Sequence, residues 1–497
     1  MSESLLDGVH GLLVRAAAVA PPEDRSALDE ASRRLAEPLR VAIAGRVKAG
    51  KSTLLNALVG EELAPTDASE CTRVVTWYRN GLTYKIGAHL RSGERVPVQF
   101  DRADRAITIQ LGAVDVHDVD HLEVEWPSRR LEAMTLIDTP GVGSLSHDVS
   151  ARAHDFLEAD GDQPAPADAV VYLMRHVHPG DVRLLESFRD TDHPGSPVSA
   201  VGVLSRADEI GACRLDAIDV AQRAASRYVA APELRGLCLT VVPVAGLAAQ
   251  AAATLTEGQF RQLAAVAQLP PRQLTELLLT VDRFAASDVD ADVTVDQRKL
   301  LLERLGLYAV RVAVDAIRTS RVASSPQLAR ELLLRSGLPA LQSLLALHFA
   351  GRSRMLKART ALAVLDTALH RHADAPGVEA VLRDAERLEA GAHEFEEVRI
   401  LTALRVGALD VGDDRRDELV RLLGGSGAES STRVGLDAGA PEDEIAATAS
   451  VQLARWRRVA DHPLSSRDVV MAAQAAVRTC EGILGDLAQR HTTGSTP

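Results

Sequence analysis

The run Leu39-Arg40-Val41-Ala42-Ile43-Ala44 ends at a glycine and passes without interruption into Gly45-Arg46-Val47-Lys48-Ala49-Gly50-Lys51-Ser52. No other stretch of the chain constrains its fold so strongly. The largely apolar run reads as a buried strand and the loop with glycine at both ends as a tight turn. Thr53-Leu54-Leu55-Asn56-Ala57-Leu58 then continues in a helical pattern. Strand, turn and helix N-terminus in that order aim several backbone N–H groups at one point, which suits a phosphate group. Two of the chain's five lysines, Lys48 and Lys51, stand in this loop.

Around this unit the chain is long enough, at 497 residues, to divide into two or three cores. Aromatics make up only 3% of it, and Ala, Leu, Val and Arg carry the rest, which favours long packed helices over an all-β design. A formal charge of −13 argues against a nucleic-acid sleeve, so nucleic acid is not an expected partner. Cys71, Cys213, Cys238 and Cys480 are too scattered for a disulfide framework or a C-x-x-C site, as expected of a reduced, cytoplasmic protein. No apolar stretch reaches the length of a bilayer span, and Met1-Ser2-Glu3-Ser4 lacks a basic leader. Any membrane role is therefore expected to be peripheral.

Residues 1–37 read as a helical segment: Leu5, Val9, Leu12, Leu13 and Ala16 recur at helical spacing, and Pro38 stops the pattern before the first strand. Residues 38–250 alternate. Strands are predicted at Val41 to Ala44, Thr135 to Ile137, Val170 to Leu173, Val201 to Leu204 and Leu239 to Val242, with crossover helices between several of them. Between Arg73 and Trp126 the runs shorten, and Asn80-Gly81 predicts a hairpin turn within antiparallel edge strands. Beyond Gly246 only helical stripes remain. Leu338, Leu341, Leu345 and Phe349, then Leu362, Leu365 and Leu369, suggest one very long helix. Gly424 to Pro441 reads as a mobile loop, and Val470, Ala473, Val477, Cys480, Leu484 and Leu487 as a narrow seam awaiting a partner helix.

In a loop of this kind Lys51 is expected on the β- and γ-phosphates and the Ser52 hydroxyl on Mg²⁺. Asp138-Thr139-Pro140-Gly141 closes the strand at Thr135 to Ile137: Asp138 can reach Mg²⁺ through water, and the Gly141 N–H can face the γ-phosphate. Ser205-Arg206-Ala207-Asp208 follows the next strand and resembles a guanine-reading motif with arginine in place of lysine. The Asp208 carboxylate can accept from guanine N1–H and the exocyclic amine, whereas adenine leaves it unpaired. Ala245-Gly246 resembles the small-residue loop whose N–H meets guanine O6. His176 and His178, without further ligands at suitable spacing, read as loop histidines.

Taken together, Gly45 to Ser52, Thr72-Arg73, Asp138 to Gly141 and Ser205 to Asp208, in a domain with a helical extension before it and a helical half after it, resemble the bacterial dynamin-like proteins. The resemblance runs over nearly the whole chain. It implies an α/β plus all-α fold, in which a P-loop GTPase domain with a mixed, mainly parallel sheet joins an elongated helical neck and trunk. Residues 251–335 would form a connecting neck, 336–445 a trunk with a lipid-binding tip, and 446–497 helices returning to the bundle. The implied activity is GTP hydrolysis with Mg²⁺, with G domains meeting as a homodimer or higher oligomer, and remodelling or fission of an acidic phospholipid membrane from its cytoplasmic face. Thr66, Thr72 and Thr76 all lie where a switch threonine is expected. Thr72 is chosen because Thr72-Arg73 resembles the dynamin switch pair and stands 21 residues after Lys51. It would hold the attacking water and close on Mg²⁺.

One departure is notable. Dynamin loops carry a polar residue at Val47 and a serine at Lys48 that helps hold a monovalent cation. The Lys48 ammonium is expected to replace that cation, with Arg46 and Arg73 as rival sources of charge. Val47 cannot orient water, which leaves open a nucleotide-gated scaffold with negligible turnover. For the lipid contact, the sequence offers Arg352, Arg354, Lys357 and Arg359 on the long helix, Arg455, Trp456, Arg457 and Arg458 near the C-terminus, and the Gly424 to Pro441 loop.

Overall fold

A computed structural model describes residues 5–64, 74–103, 106–112, 114–141, 166–176, 178, 181–182, 185, 199–231, 234, 237–287, 289, 292–406 and 409–493. Its strands are β1 (Leu39–Gly45), β2 (Val75–Asn80), β3 (Lys85–Leu90), β4 (Arg95–Pro97), β5 (Gln99–Ala103), β6 (Ala106–Gln110), β7 (Val119–Trp126), β8 (Met134–Asp138), β9 (Ala169–Met174), β10 (Ala200–Ser205) and β11 (Val241–Val244). Nine of them form one sheet in the order β11-β10-β9-β1-β8-β2-β7-β3-β4, and β5 pairs with β6 separately. From β11 to β8 every pairing is parallel. Every residue of β1, β9 and β10 is buried, which is why they appear in sequence as largely apolar runs. Gly45, Asp138, Ser205 and Val244 close β1, β8, β10 and β11, and the parallel register brings all four to the carboxyl edge of the sheet.

Two local expectations are corrected. β11 begins two residues later than predicted. The Asn80-Gly81 hairpin does not form: β2 pairs antiparallel with β8 and parallel with β7, and β3 pairs with β7 instead. The turn residues are engaged elsewhere, since the Gly81 N–H donates to Trp126 O and Asn80 Oδ1 accepts from the Ser128 N–H. Tyr78 is buried between Leu136 and Val124, so long-range packing outweighs the local turn signal.

The helices from Gly246–Thr254 to Ser325–Arg335 share one core around Leu263, Val266, Leu305, Val310 and Leu328. Two capping boxes, Thr256 with Gln259 and Thr294 with Gln297, start two of them. The predicted very long helix is present over Leu338–His370 and carries a π turn at Leu345–Phe349. Its first half, from Leu338 to Leu356, belongs to the core of the sheet domain, so packing does not divide at residue 336. Its second half packs with the helices Leu5–Val19, Pro22–Arg34 and Val378–Gly391.

The remaining helices, His393–Val406, Asp413–Leu422, Ser430–Val434, Glu442–Ala460 and Arg467–Thr493, close around Trp456, Leu404, Leu419, Ala473 and Cys480. The seam of the last helix finds its partner in Glu442–Ala460. Gly424 to Pro441 is not a free loop. It contains the helix Ser430–Val434 and lies against the π turn and the 3-10 turn Ala350–Arg352 that follows it: a Cβ on Gly427 would sit 3.1 Å from Leu347 Cδ2, and one on Gly351 2.8 Å from Ala428 Cβ.

This packing corrects part of the lipid-contact set. Trp456 is fully buried and its Nε1–H donates to Glu418 Oε1 at 2.9 Å, so it is a core residue. Arg352 donates to the carbonyls of Leu423 and Gly424, and Lys357 to those of Leu35 and Glu37, so both cations hold the fold together. Arg457 pairs with Glu481 at 2.6 Å. Arg354, Arg455 and Arg458 are exposed, and Arg359 is half-buried. Trp456→Ala is expected to lower stability by about 3–5 kcal/mol in denaturant melts, because it opens a cavity and strips a partner from Glu418.

Candidate functional site

At the carboxyl edge of the sheet the first loop needs glycine at two points for different reasons. A Cβ on Gly45 would meet Leu173 O at 2.5 Å, while Gly50 has φ 93°, in the left-handed region that glycine reaches without strain. Lys48 takes φ 62° without being glycine, an outlier of the kind that marks a functional turn. Lys51 opens the helix Lys51–Val59. Its ammonium is buried and donates to Gly45 O at 3.2 Å and Arg46 O at 3.3 Å. Burial pushes its pKa down, and the nearby Asp138 opposes that shift.

Ser52 Oγ donates to Asp138 Oδ2 at 2.9 Å. The other carboxylate oxygen, Asp138 Oδ1, is buried and has no hydrogen-bond partner among the described residues. Burial pushes the Asp138 carboxyl up, against the pull of Lys51 and Ser52. A hydroxyl and an orphaned buried carboxylate oxygen beside a phosphate loop are hard oxygen donors of the kind Mg²⁺ takes, so the residues fit that ion. Thr139 wraps the strand end back, donating through its N–H and hydroxyl to Ile43 O. Gly141 is fixed by contact: a Cβ there would lie 2.7 Å from Val47 Cγ2 and 2.8 Å from Val47 Cα. Gly141→Ala is expected to force these two loops apart and lower nucleotide turnover at least about tenfold while melting temperature changes little, which turnover and melting assays on one sample separate.

Beside the loop lies a cleft of about 170 Å³, lined by Ala49, Thr53, Leu173, Val203, Asp208 and Leu247 among others. Asp208 enters it from the turn after β10, and burial pushes its carboxyl up. Arg206, at φ 49°, bonds Glu209 at 2.9 Å and reaches Lys48 O at 3.5 Å, so its stem lies along the cleft wall and ties it to the phosphate loop. The Ser205 hydroxyl donates inward to Met174 O and is a strand tie.

The Ala245 expectation is corrected. Its N–H donates to Ser336 O at 2.9 Å and is not available to a base. The contact exists because Gly337, at φ 79°, crosses directly over β11, where a Cβ would meet Pro243 O at 2.1 Å. Gly246 opens the next helix, so its N–H has no partner within that helix, and it lines the cleft. Thr66, Thr72 and Arg73 lie outside the described residues. Thr76 is buried in β2, opposite Asp138 in the β2–β8 register.

Three tethers were not legible locally. Arg304 holds Glu62, just after the loop's helix, at 2.8 and 2.9 Å. Arg311 donates to the carbonyls of Ala212 and Cys213, behind Asp208, and to those of Leu278 and Leu279. Ser336 is the third. Arginines on a helix face give no sequence signal that separates a tether from a solvated charge. Elsewhere, His89, His121 and Glu123 lie close enough to suggest a metal. The two imidazoles, however, are stacked at 4.3 Å and 11°, and lone pairs in nearly parallel planes cannot converge on one ion.

Residues 41–179 match the profile of the dynamin family, which covers the phosphate loop and Asp138 to Gly141. Isoniazid-induced protein IniC of Mycobacterium tuberculosis is 42% identical over 467 residues, spanning 93% of each chain. This chain belongs to the dynamin family. A bacterial dynamin-like protein of Nostoc punctiforme is 30% identical over 164 residues, 30% of this chain and 22% of that one. A solved structure of an oligomerised bacterial dynamin pair, described as a mechanism for long-range sensing and tethering of membranes, overlays 99% of this chain and 76% of its own at 11% identity. The TM-score is 0.32, too loose to carry any geometry across. For a dynamin-family chain, a nucleotide site joined to a predominantly helical second half is the family architecture, here with Arg304, Arg311 and Ser336 as the joints.

Proposed function

We propose that this chain binds GTP with Mg²⁺ at the carboxyl edge of the sheet, hydrolyses it, dimerises through its G domains and remodels, by severing, an acidic membrane to which it attaches peripherally from the cytoplasmic side. One observation carries the reading: Asp208 shares a single cleft with Ala49 and Gly50 of the phosphate loop and with Thr53 of the helix it opens, so a guanine reader and a phosphate cradle belong to one ligand. Ser52 and Asp138 would hold Mg²⁺, which when bound neutralises charge on the β- and γ-phosphates. The Lys51 ammonium, parked on two loop carbonyls, exchanges them for phosphate oxygens. The Gly141 N–H approaches the γ-phosphate, with Val47 packed behind it. Thr72 orients the attacking water through its carbonyl, with Arg73 or Arg46 as auxiliary charge. Arg206 covers the base, and Gly246 offers its N–H to guanine O6.

The strained, exposed Lys48 supports its assignment as a built-in cation at the β–γ bridge. Turnover in sodium, potassium and a bulky organic cation is expected to be equal within about twofold, while Lys48→Ser makes it potassium-dependent. A potassium requirement in the unaltered protein would refute the assignment. Val47, 44% exposed and apolar beside Gly141, favours a rival reading as a nucleotide-gated oligomeric scaffold with negligible turnover. Phosphate release per molecule that rises with protein concentration supports the enzyme, and tight GTP binding with no release supports the scaffold. Among the described residues no single helix is long and apolar enough to cross a membrane, which is compatible with peripheral attachment.

A further inference from the structure

The turn that follows Asp208 is held in a conformation that its own residues do not favour. Ala212 and Cys213 take φ 53° and 54° in succession, although neither is glycine and neither has the short amide or carboxylate that eases asparagine or aspartate into that region. Two such residues side by side persist only where their surroundings fix them. From inside, the turn closes on the base reader itself: the Cys213 N–H donates to Asp208 O at 2.8 Å and the Ala212 N–H to Glu209 O at 3.0 Å. Gly211 is pressed onto the next helix, since a Cβ there would lie 2.4 Å from Ala217 Cα.

From outside, the carbonyls of the turn belong to Arg311. Its Nη1 donates to Ala212 O at 2.9 Å and to Cys213 O at 2.8 Å. Its Nη2 donates to Leu278 O at 2.6 Å and Leu279 O at 3.0 Å, and its Nε to Leu278 O at 2.9 Å. A guanidinium has five N–H groups, and here all of them are bonded, to four backbone carbonyls. Bonding of that completeness fixes the guanidinium in one orientation, and with it the two chain segments it joins. The helix Val295–Arg318 that carries Arg311 breaks at Gly306, where a Cβ would come 3.3 Å from Leu247 Cδ1 of the cleft wall, so one helix backs the cleft at two points.

Reading guanine N1–H and the exocyclic amine together takes both oxygens of Asp208, so discrimination depends on how that carboxylate is oriented. Hypoxanthine lacks the amine and depends on the orientation less. A turn free to leave the left-handed region would carry Asp208 out of register with the base while the phosphate loop stayed in place.

We infer that Arg311 is a positioning residue for base selection: by clamping Ala212 and Cys213 to Leu278 and Leu279, it holds Asp208 where the exocyclic amine of guanine is read. The inference rests on the assignment of Asp208 to guanine proposed above, and it adds a determinant of specificity from a helix that does not touch the base. The test compares GTP with inosine triphosphate, which differs only in lacking that amine, in competition binding and turnover by the full chain. The wild type is expected to favour GTP by about tenfold or more. Arg311→Ala should weaken GTP binding about tenfold and inosine triphosphate binding less than about threefold, so that the preference nearly vanishes, while kcat at saturating GTP stays within about threefold. Arg311→Lys keeps the charge but gathers three N–H groups on one nitrogen, which cannot span both pairs of carbonyls, and its preference should fall between the two. Hydrogen exchange over residues 208–214 of the nucleotide-free protein should quicken in both variants. A general loss of packing would instead weaken both triphosphates alike and leave the preference unchanged, which would overturn the inference while the Asp208 assignment stands. A wild-type preference in Arg311→Lys would place the effect in the charge and overturn the clamp, and this variant decides the matter alone if Arg311→Ala does not fold. If the wild type itself binds the two triphosphates equally, the clamp and the Asp208 assignment are both wrong.

Discussion

Lys51→Ala is expected to cut GTP turnover by about a thousandfold without lowering the melting temperature of the nucleotide-free protein. The loss follows from removing a positive charge aimed at phosphate oxygens in a partly dry site, where one preorganised donor is worth a factor of about a hundred to a thousand. The unchanged stability follows from the state of the side chain before nucleotide arrives. Its ammonium is buried against two loop carbonyls and burial depresses its pKa, so below that pKa the fold holds the charge at a cost rather than gaining from it. Removing it relieves that cost, in part offset by the lost attraction to Asp138. Turnover and a thermal melt on one preparation check both halves; a large fall in melting temperature would mean that Lys51 is structural.

Asp208→Asn is expected to lower GTP affinity about a hundredfold and to raise affinity for xanthosine triphosphate. The carboxylate accepts two N–H groups from guanine. An amide accepts one and presents an N–H₂ that the guanine amine repels but the xanthine 2-oxo group accepts. A site built on hydrogen bonds rejects a base that leaves its polar groups unpaired far more strongly than an apolar slot would. Arg206 is held by Glu209, which also bonds Arg175, so the cleft wall should stay in place in the variant. Competition of the two triphosphates against a fluorescent guanine nucleotide gives the ratio directly. Equal losses for both would place Asp208 outside the base contact.

The parts of this molecule legible in sequence are those where local and long-range demands coincide. β1, β9 and β10 are buried on both faces and so read as largely apolar runs, and the ends of β1, β8 and β10 fall at one sheet edge, which brings Lys51 and Ser52, Asp138 and Asp208 to that edge. Misreadings arose where a distant partner decided the matter. Asn80-Gly81 has a local preference for a hairpin, yet its polar groups bond to Trp126 and Ser128. Ala245 has the right neighbours for a base loop, but Ser336, far along the chain, takes its N–H. In Arg455-Trp456-Arg457-Arg458 a membrane-like composition conceals helical geometry: position 456 faces the core of the last helices while its neighbours face outward.

GTP turnover tests whether one ligand joins the Asp208 cleft to the phosphate loop and is consumed there in coupling with a membrane. Phosphate release per molecule is followed across a range of protein concentrations, with and without vesicles containing phosphatidylglycerol. The rate is expected to rise with concentration, to rise further with the anionic vesicles, and to fall to background in Lys51→Ala. Tight GTP binding with a flat, negligible rate under all of these conditions would instead make the chain a nucleotide-gated scaffold and not a GTPase.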